Sequence, residues 1–198
     1  MKNKKMLGMG VILFVVLIVG ASMLYHSMKD KVEDHSFQIE EDTDEDQDNT
    51  DENATDAEDK KVAAPDFVMT DKEGNEVRFS NFAGKPIVLN FWASWCGPCQ
   101  MEMPDFEEMY KQYGEEVQFV MVNMTDGAQE TLDSASQFIT EKGYTFPVYY
   151  DTKMEGAYFY SVYSLPMTYF IDVEGNVAAS SRGMIHRDNL QQGIEAIR

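Results

Sequence analysis

Both cysteines of this chain fall in one short stretch, Trp95-Cys96-Gly97-Pro98-Cys99, and that stretch constrains the fold more than any other. Immediately before it, the apolar run from Ile87 to Trp92 is short and branched enough for a buried strand. After Pro98, apolar residues recur at Met101, Met103, Phe106, Met109, Tyr110 and Tyr113, a helical rhythm. Cys96 is thus placed where a strand ends and a helix begins. Free amides at a helix N-terminus carry partial positive charge and favour an anion, so Cys96 is expected to be the reactive, accessible sulfur. Pro98 suits the first helical turn, where its missing N–H costs nothing, and Gly97 gives the backbone room to bend between the sulfurs. Cys99, one turn further in, is expected to be the shielded resolving thiol. Thiols in Cys-x-x-Cys motifs have pKa values lowered from about 8.5 to roughly 3.5–7.5, so Cys96 is expected to be substantially ionised near neutral pH.

A metal reading of the same pair fails on ligand count. Structural zinc takes four ligands, there is no second cysteine pair, and the histidines are His26, His35 and His186 alone. The Met101-x-Met103 pair has no supporting histidine and reads as core or rim, so neither a metal nor another cofactor is expected.

The 198 residues fit one domain with extensions. The formal net charge of −19 is unevenly spread, with +4 in residues 1–32, −14 in residues 33–59 and −9 in the remainder. Acidity of this kind argues against a nucleic-acid partner, because phosphate binding requires Lys and Arg. Residues 1–5, with Lys2, Lys4 and Lys5, read as a cytoplasmic N-terminus. Residues 6–25 are apolar and uncharged, long enough to cross roughly 30 Å of hydrocarbon, and read as a transmembrane signal anchor. A cleaved signal peptide with a site near Val19-Gly20-Ala21 is the competing reading. Residues 26–61, in which the stretch 33–59 carries only acidic charge and few apolar side chains, read as a disordered acidic linker. The absence of a glycine-turn loop among its acids argues against a defined calcium site. The folded domain is then residues 62–198, held outside a cell membrane that the chain crosses once.

Within that domain, residues 67–79 alternate around Asp71-Lys72-Glu73-Gly74-Asn75 and read as a hairpin. Residues 117–123 and 146–150 read as strands, and 131–142 as a helix ended by Gly143. Residues 154–163 read as a further helix. An antiparallel pair comes next at 167–172 and 177–181, and then a last helix from Arg187 to Ile197. Strands alternating with helices imply an α/β fold with parallel crossovers, and no internal repeat is visible.

The set Ala64-Pro65-Asp66-Phe67, Gly84-Lys85-Pro86, Leu89-Asn90-Phe91-Trp92-Ala93, Trp95-Cys96-Gly97-Pro98-Cys99 and Glu102-x-Pro104 is similar to that of the membrane-anchored TlpA/ResA-like thiol-disulfide oxidoreductases of the thioredoxin superfamily. The resemblance implies a thioredoxin fold with an added N-terminal β-hairpin and an inserted helix. It also implies a cis-proline at Pro166, with Leu165, Pro166 and Met167 forming the substrate-docking edge; Met167 departs from the Thr common there and suggests an apolar, adaptable surface beside the sulfurs. Asn90 stands where thioredoxins keep a buried Asp. The resemblance therefore implies Glu102, three residues past Cys99, as the proton acceptor and donor for the inner thiol, with an exposed helix-surface glutamate as the bland alternative. Trp92 reads as core, and Trp95, like Gly97 and Pro98, as support and docking surface around the active sulfur.

Together these features predict an extracytoplasmic, membrane-tethered oxidoreductase that reduces the disulfides of protein substrates through a redox-active Cys96–Cys99 pair. The Gly-Pro dipeptide resembles that of thioredoxin, whose potential of about −270 mV is reducing. Renewal outside the cell implies a CcdA/DsbD-like membrane electron donor. Substrates implied by analogy are apocytochrome c, envelope or sporulation proteins, or a methionine sulfoxide reductase. Two other classes stay open: a peroxiredoxin-like thiol peroxidase, since Ala64-Pro65-Asp66-Phe67 also begins such chains, and a non-catalytic thioredoxin-fold binding or chaperone module.

Overall fold

Six consecutive buried residues, Ile87 to Trp92, form the strand around which residues 61–198, those described by the computed structural model, are arranged. In chain order the elements are β1 (Val62–Ala63), β2 (Val68–Thr70), β3 (Glu76–Arg78), a 3-10 turn (Phe79–Phe82), β4 (Ile87–Trp92) and α1 (Gly97–Tyr113). After these come β5 (Gln118–Asn123), α2 (Leu132–Lys142), β6 (Val148–Tyr150), α3 (Glu155–Phe159), β7 (Met167–Ile171), β8 (Asn176–Arg182) and α4 (Arg187–Ile197). The expected anchor at residues 6–25, the cytoplasmic residues 1–5 and nearly all of the linker at 26–61 lie outside the described residues.

The strands form one eight-stranded sheet in the order β1-β8-β7-β4-β5-β6-β2-β3. β4, β5 and β6 are parallel, whereas β7 runs antiparallel to β4 with Asn90 opposite Thr168. β4 is buried on both faces because both are covered, as a strand at a sheet centre that is apolar but for Asn90 requires. On one face Val88 and Trp92 pack with Met103, Phe106 and Met109 of α1, Ala135 of α2 and Leu190, Ile194 and Ile197 of α4. On the other, Ile87, Leu89 and Phe91 pack with Phe67, Met69 of β2, Phe79, and Ala157 and Tyr160 around α3. Successive side chains of a strand point to opposite faces, so the sequence of β4 dictates this division.

Helix ends reflect local chemistry. α2 opens with a capping box in which the Thr131 and Ser134 side chains each accept the other's backbone N–H, and it closes on Gly143 in the left-handed region at φ 70°. α1 runs unbroken through Pro104. α4 lies close against the sheet at Gly193, where an added Cβ would come within 2.3 Å of the buried Phe170 ring. Gly193→Ala is therefore expected to destabilise the fold by about 1–3 kcal/mol despite alanine's better helix propensity, read as a lowered urea midpoint with unchanged slope.

Two features depart from the sequence reading. The helix expected over 154–163 is only five residues long, because Met154 and Ser161 take positive φ and Tyr160 turns inward, donating its hydroxyl hydrogen to Pro65 O at 2.9 Å. The aromatic residues Tyr158, Phe159 and Tyr163 of this segment are exposed. The short β1, paired with β8, and the 3-10 turn carry no periodic signal and have no counterpart in the sequence reading.

Candidate active site

Cys96 is the N-cap residue of α1, with extended backbone at φ −78° and ψ 105°. Its N–H donates to Ala93 O at 3.2 Å, closing the turn out of β4, and its Sγ accepts from the backbone N–H of Cys99 at 3.2 Å. A sulfur in this position occupies the place of the Ser or Asp oxygen that usually caps a helix. A thiolate there accepts more strongly than a neutral sulfur, so the same N–H and the helix field lower the cost of ionisation. The two sulfurs are joined in a disulfide, 2.10 Å apart, with Cα atoms at 5.3 Å. Cys96 keeps 4% exposure and Cys99 none, while Gly97 and Pro98 lie exposed over the bond. This asymmetry is slight in the oxidised pair.

Beneath the disulfide, Glu102 projects inward and is 1% exposed. Its Oε1 accepts from Asn90 Nδ2 at 2.9 Å, and its Oε2 accepts from the backbone N–H of Ile185 at 2.9 Å. Asn90 Nδ2 also donates to Thr168 Oγ1 at 3.0 Å, so the Glu102 carboxyl ties α1 to β4 and the segment before α4, and the Asn90 amide extends the network to β7. Burial pushes that carboxyl up to about 8; the Ile185 N–H and the Asn90 amide pull it down, and nearby Asp105 adds to the rise. The exposed-glutamate alternative for Glu102 is thereby excluded. Cys99 and Glu102, three residues apart on the helix, are neighbours on one face. A carboxyl that titrates near the pKa of a thiol exchanges protons with it at little thermodynamic cost.

The peptide bond Leu165–Pro166 is cis and leads directly into β7. Pro166 is buried, and its carbonyl accepts from Gly183 N–H at 2.9 Å, which fixes it to the turn after β8. Leu165 is half-buried between the two cores. The expectation for the Met167 side chain needs correction: it is 9% exposed and belongs to the core with Phe91 and Ile171, on the sheet face opposite α1. Strand alternation is the cause, since Thr168 takes the face of the disulfide, leaving Met167 only its backbone to offer a substrate. Trp95 is half-exposed beside Cys96, whereas Trp92 is fully buried against Phe138. Of the nearby methionines, Met103 is core and Met101 is exposed.

Besides Thr168, a second residue of the site escapes the sequence reading. Glu130, fully buried ahead of α2, accepts from the backbone N–H of Ser94 at 2.5 Å and from the Ser94 hydroxyl at 3.0 Å. It also accepts from the Ser134 hydroxyl at 2.5 Å. Its one sequence signal is its position immediately before the Thr131 cap, and that signal speaks of the helix start and not of the cysteines.

Comparison with known proteins agrees with this geometry. The family model for the AhpC/TSA family matches residues 61–180. The chain is 37% identical over 136 residues to the thiol-disulfide oxidoreductase ResA of Geobacillus kaustophilus, covering 68% of this chain and 76% of that protein. Among solved structures, a Chlorobium tepidum thiol:disulfide interchange protein described as DsbE superposes with a TM-score of 0.62 at 33% identity, covering 70% of this chain and 97% of the other. StoA from Bacillus subtilis gives 0.57 at 28% identity, covering 65% and 96%. With a cysteine pair capping a helix on a thioredoxin-like sheet, and relatives of this kind, the chain belongs to the AhpC/TSA family and is a ResA-like thiol-disulfide oxidoreductase.

Proposed function

We propose that this oxidoreductase is a membrane-anchored, outward-facing reductant of protein disulfides. The observation that carries the chemistry is the stacking of three features on one helix: Cys96 Sγ at the N-cap, Cys99 one turn inside, and the buried Glu102 carboxyl one turn further. In the first step the Cys96 thiolate attacks one sulfur of a substrate disulfide. The substrate S–S bond breaks, a mixed disulfide forms, and the departing substrate thiolate takes up a proton. Cys99 then passes its proton to Glu102, and its sulfur attacks Cys96. This forms the Cys96–Cys99 bond, breaks the mixed disulfide and releases the second substrate sulfur as a thiolate that takes up a proton from solvent, so two electrons have moved to the substrate. Glu102 returns the proton when the pair is next reduced. Trp95 and the backbone of Leu165, Pro166 and Met167 form the docking edge, where an extended substrate segment can pair strand-fashion.

The apolar run at residues 6–25 preceded by lysines, with an acidic tether after it, supports the anchored, extracytoplasmic placement. Outside the cell a reductant needs a supply of electrons, and a CcdA/DsbD-like membrane protein is the class of donor we infer. Apocytochrome c, envelope or sporulation proteins, and a methionine sulfoxide reductase are the candidate substrates. The test is the equilibrium potential of the Cys96–Cys99 couple in glutathione or dithiothreitol buffers. A value near −270 mV is expected, and one near −120 mV makes the protein an oxidant and overturns the proposal. The placement is checked by cysteine-reagent accessibility in whole cells, with protection of Cys96 from impermeant reagents under reducing conditions counting against it.

A further inference from the structure

A buried carboxylate is costly unless its lone pairs are occupied, and the fold directs three donors at Glu130. All three are neutral: the Ser94 N–H, the Ser94 hydroxyl and the Ser134 hydroxyl. Ser94 is held from its other end as well, because its carbonyl accepts from the Gln100 side chain at 2.5 Å. The residue two positions before Cys96 is thus gripped at N–H, Oγ and C=O, which leaves the turn carrying Trp95 and Cys96 little freedom. α2 is anchored by the same carboxylate through Ser134, so the grip is tied to a rigid helix and not to another loop.

We propose that Glu130 is a positioning residue for the exchange reaction, whose buried carboxylate clamps Ser94 and thereby sets both the pose and the ionisation of Cys96. This rests on Cys96 being the attacking sulfur. Two effects oppose each other. The clamp holds Cys96 on the helix N-terminus, where its thiolate is favoured. The negative charge of Glu130, whose anchor point Ser94 lies two positions before Cys96 and at most about 7 Å of chain away, disfavours that thiolate. A helix field lowers the thiol pKa, and intrinsic nucleophilicity falls with it. Glu130 restrains that acidity while keeping the geometry.

The two effects separate in two substitutions. Glu130→Gln removes the charge and keeps an acceptor for the Ser94 N–H, whereas Glu130→Ala removes both and leaves that N–H buried without a partner. The experiment tracks the pH dependence of iodoacetamide alkylation of Cys96 in a Cys99→Ala background, where Cys96 is the only thiol. Ionisable groups on the surrounding elements, among them Glu102 and Asp105 on α1, Asp126 after β5, Asp133 on α2, Arg182 at the end of β8 and His186 before α4, stay constant across the series. Glu130→Gln is expected to lower the apparent pKa of Cys96 by about 0.5–1 unit. With both cysteines present, Glu130→Ala is expected to reduce the insulin-disulfide rate about tenfold, and Glu130→Gln to restore it to within about threefold of wild type. Coincident alkylation profiles for Glu130 and Glu130→Gln overturn the inference while leaving Cys96 as nucleophile. A parent Cys96 that stays unreactive throughout the pH range sinks both this inference and the mechanism on which it rests.

Discussion

Replacing Cys96 with serine is expected to lower insulin-disulfide reduction at least about a thousandfold, to the rate of the uncatalysed reductant, while replacing Cys99 with serine leaves the first half of the reaction intact. The asymmetry comes from the helix. At position 96 the sulfur accepts the Cys99 N–H as the cap of α1, and serine is among the best residues for that position, so the variant keeps its cap and its fold while losing the nucleophile. Circular dichroism and the urea midpoint of the reduced protein should accordingly match those of reduced wild type to within about 1 kcal/mol. Cys99→Ser retains Cys96 in its helix field but has no sulfur to resolve the mixed disulfide. It should therefore accumulate a covalent adduct with substrate that is seen on a non-reducing gel and released by dithiothreitol. Equal adduct formation by the two variants would remove the assigned order of attack, because it would mean that Cys99, fully buried in the oxidised protein, reaches substrate as readily as Cys96.

The reach of the sequence is uneven for physical reasons. β4 and α1 are legible because each has a strong local signal, a branched apolar run and a 3.6-residue apolar rhythm, and tertiary packing acts in the same direction as both. The Cys96–Cys99 pair inherits its position from that junction. The helix at α3 reads too long in the sequence because the backbone breaks at Met154 and Ser161 fall on residues other than glycine, and because the chain exposes Tyr158, Phe159 and Tyr163 while burying Tyr160. Met167 reads as a neighbour of the sulfurs because it comes directly after Pro166. The side on which a strand residue points depends on register, and here the pairing of Asn90 with Thr168 fixes Thr168, not Met167, on the site face. Glu102 and Thr168 reach Asn90 across 12 and 78 residues of sequence, and Glu130 reaches Ser94 across 36. Such contacts leave no periodic trace. Resemblance supplies Glu102, and only the structure supplies Glu130.

Glu102→Gln is expected to make the folded protein more stable at alkaline pH and slower at catalysis. In the folded protein the carboxyl titrates near 8, against an ordinary value of 4.5, so the folded state holds a proton that the unfolded chain releases. Between those two values the unfolded state binds fewer protons, and stability falls by up to about 1.4 kcal/mol for each unit rise in pH. The contribution is whole below pH 4.5 and gone above pH 8, the reverse of a carboxylate held in an ion pair. Glutamine resembles the protonated acid. One of its amide atoms accepts the Ile185 N–H, and a half-turn of the Asn90 amide lets Asn90 Oδ1, unpartnered among the described residues, accept from the other. Thr168 Oγ1 can donate or accept and adjusts to the turn. The variant and wild type should thus be of similar stability near pH 4.5 and differ by a few kcal/mol near pH 8.5, with the oxidised form of each unfolded in urea. The comparison is between the two proteins at each pH, because groups such as Asp126, held below the ordinary range by the N–H groups of Glu130 and Ala128, weaken both equally as pH falls. On the same variant, loss of the proton acceptor for Cys99 should slow resolution of the mixed disulfide about 10–100-fold at pH 7. Parallel stability curves would mean that the carboxyl titrates normally and cannot serve a thiol. A stability gain without slower resolution would make Glu102 a buried acid of the core and shift the proton transfer to solvent.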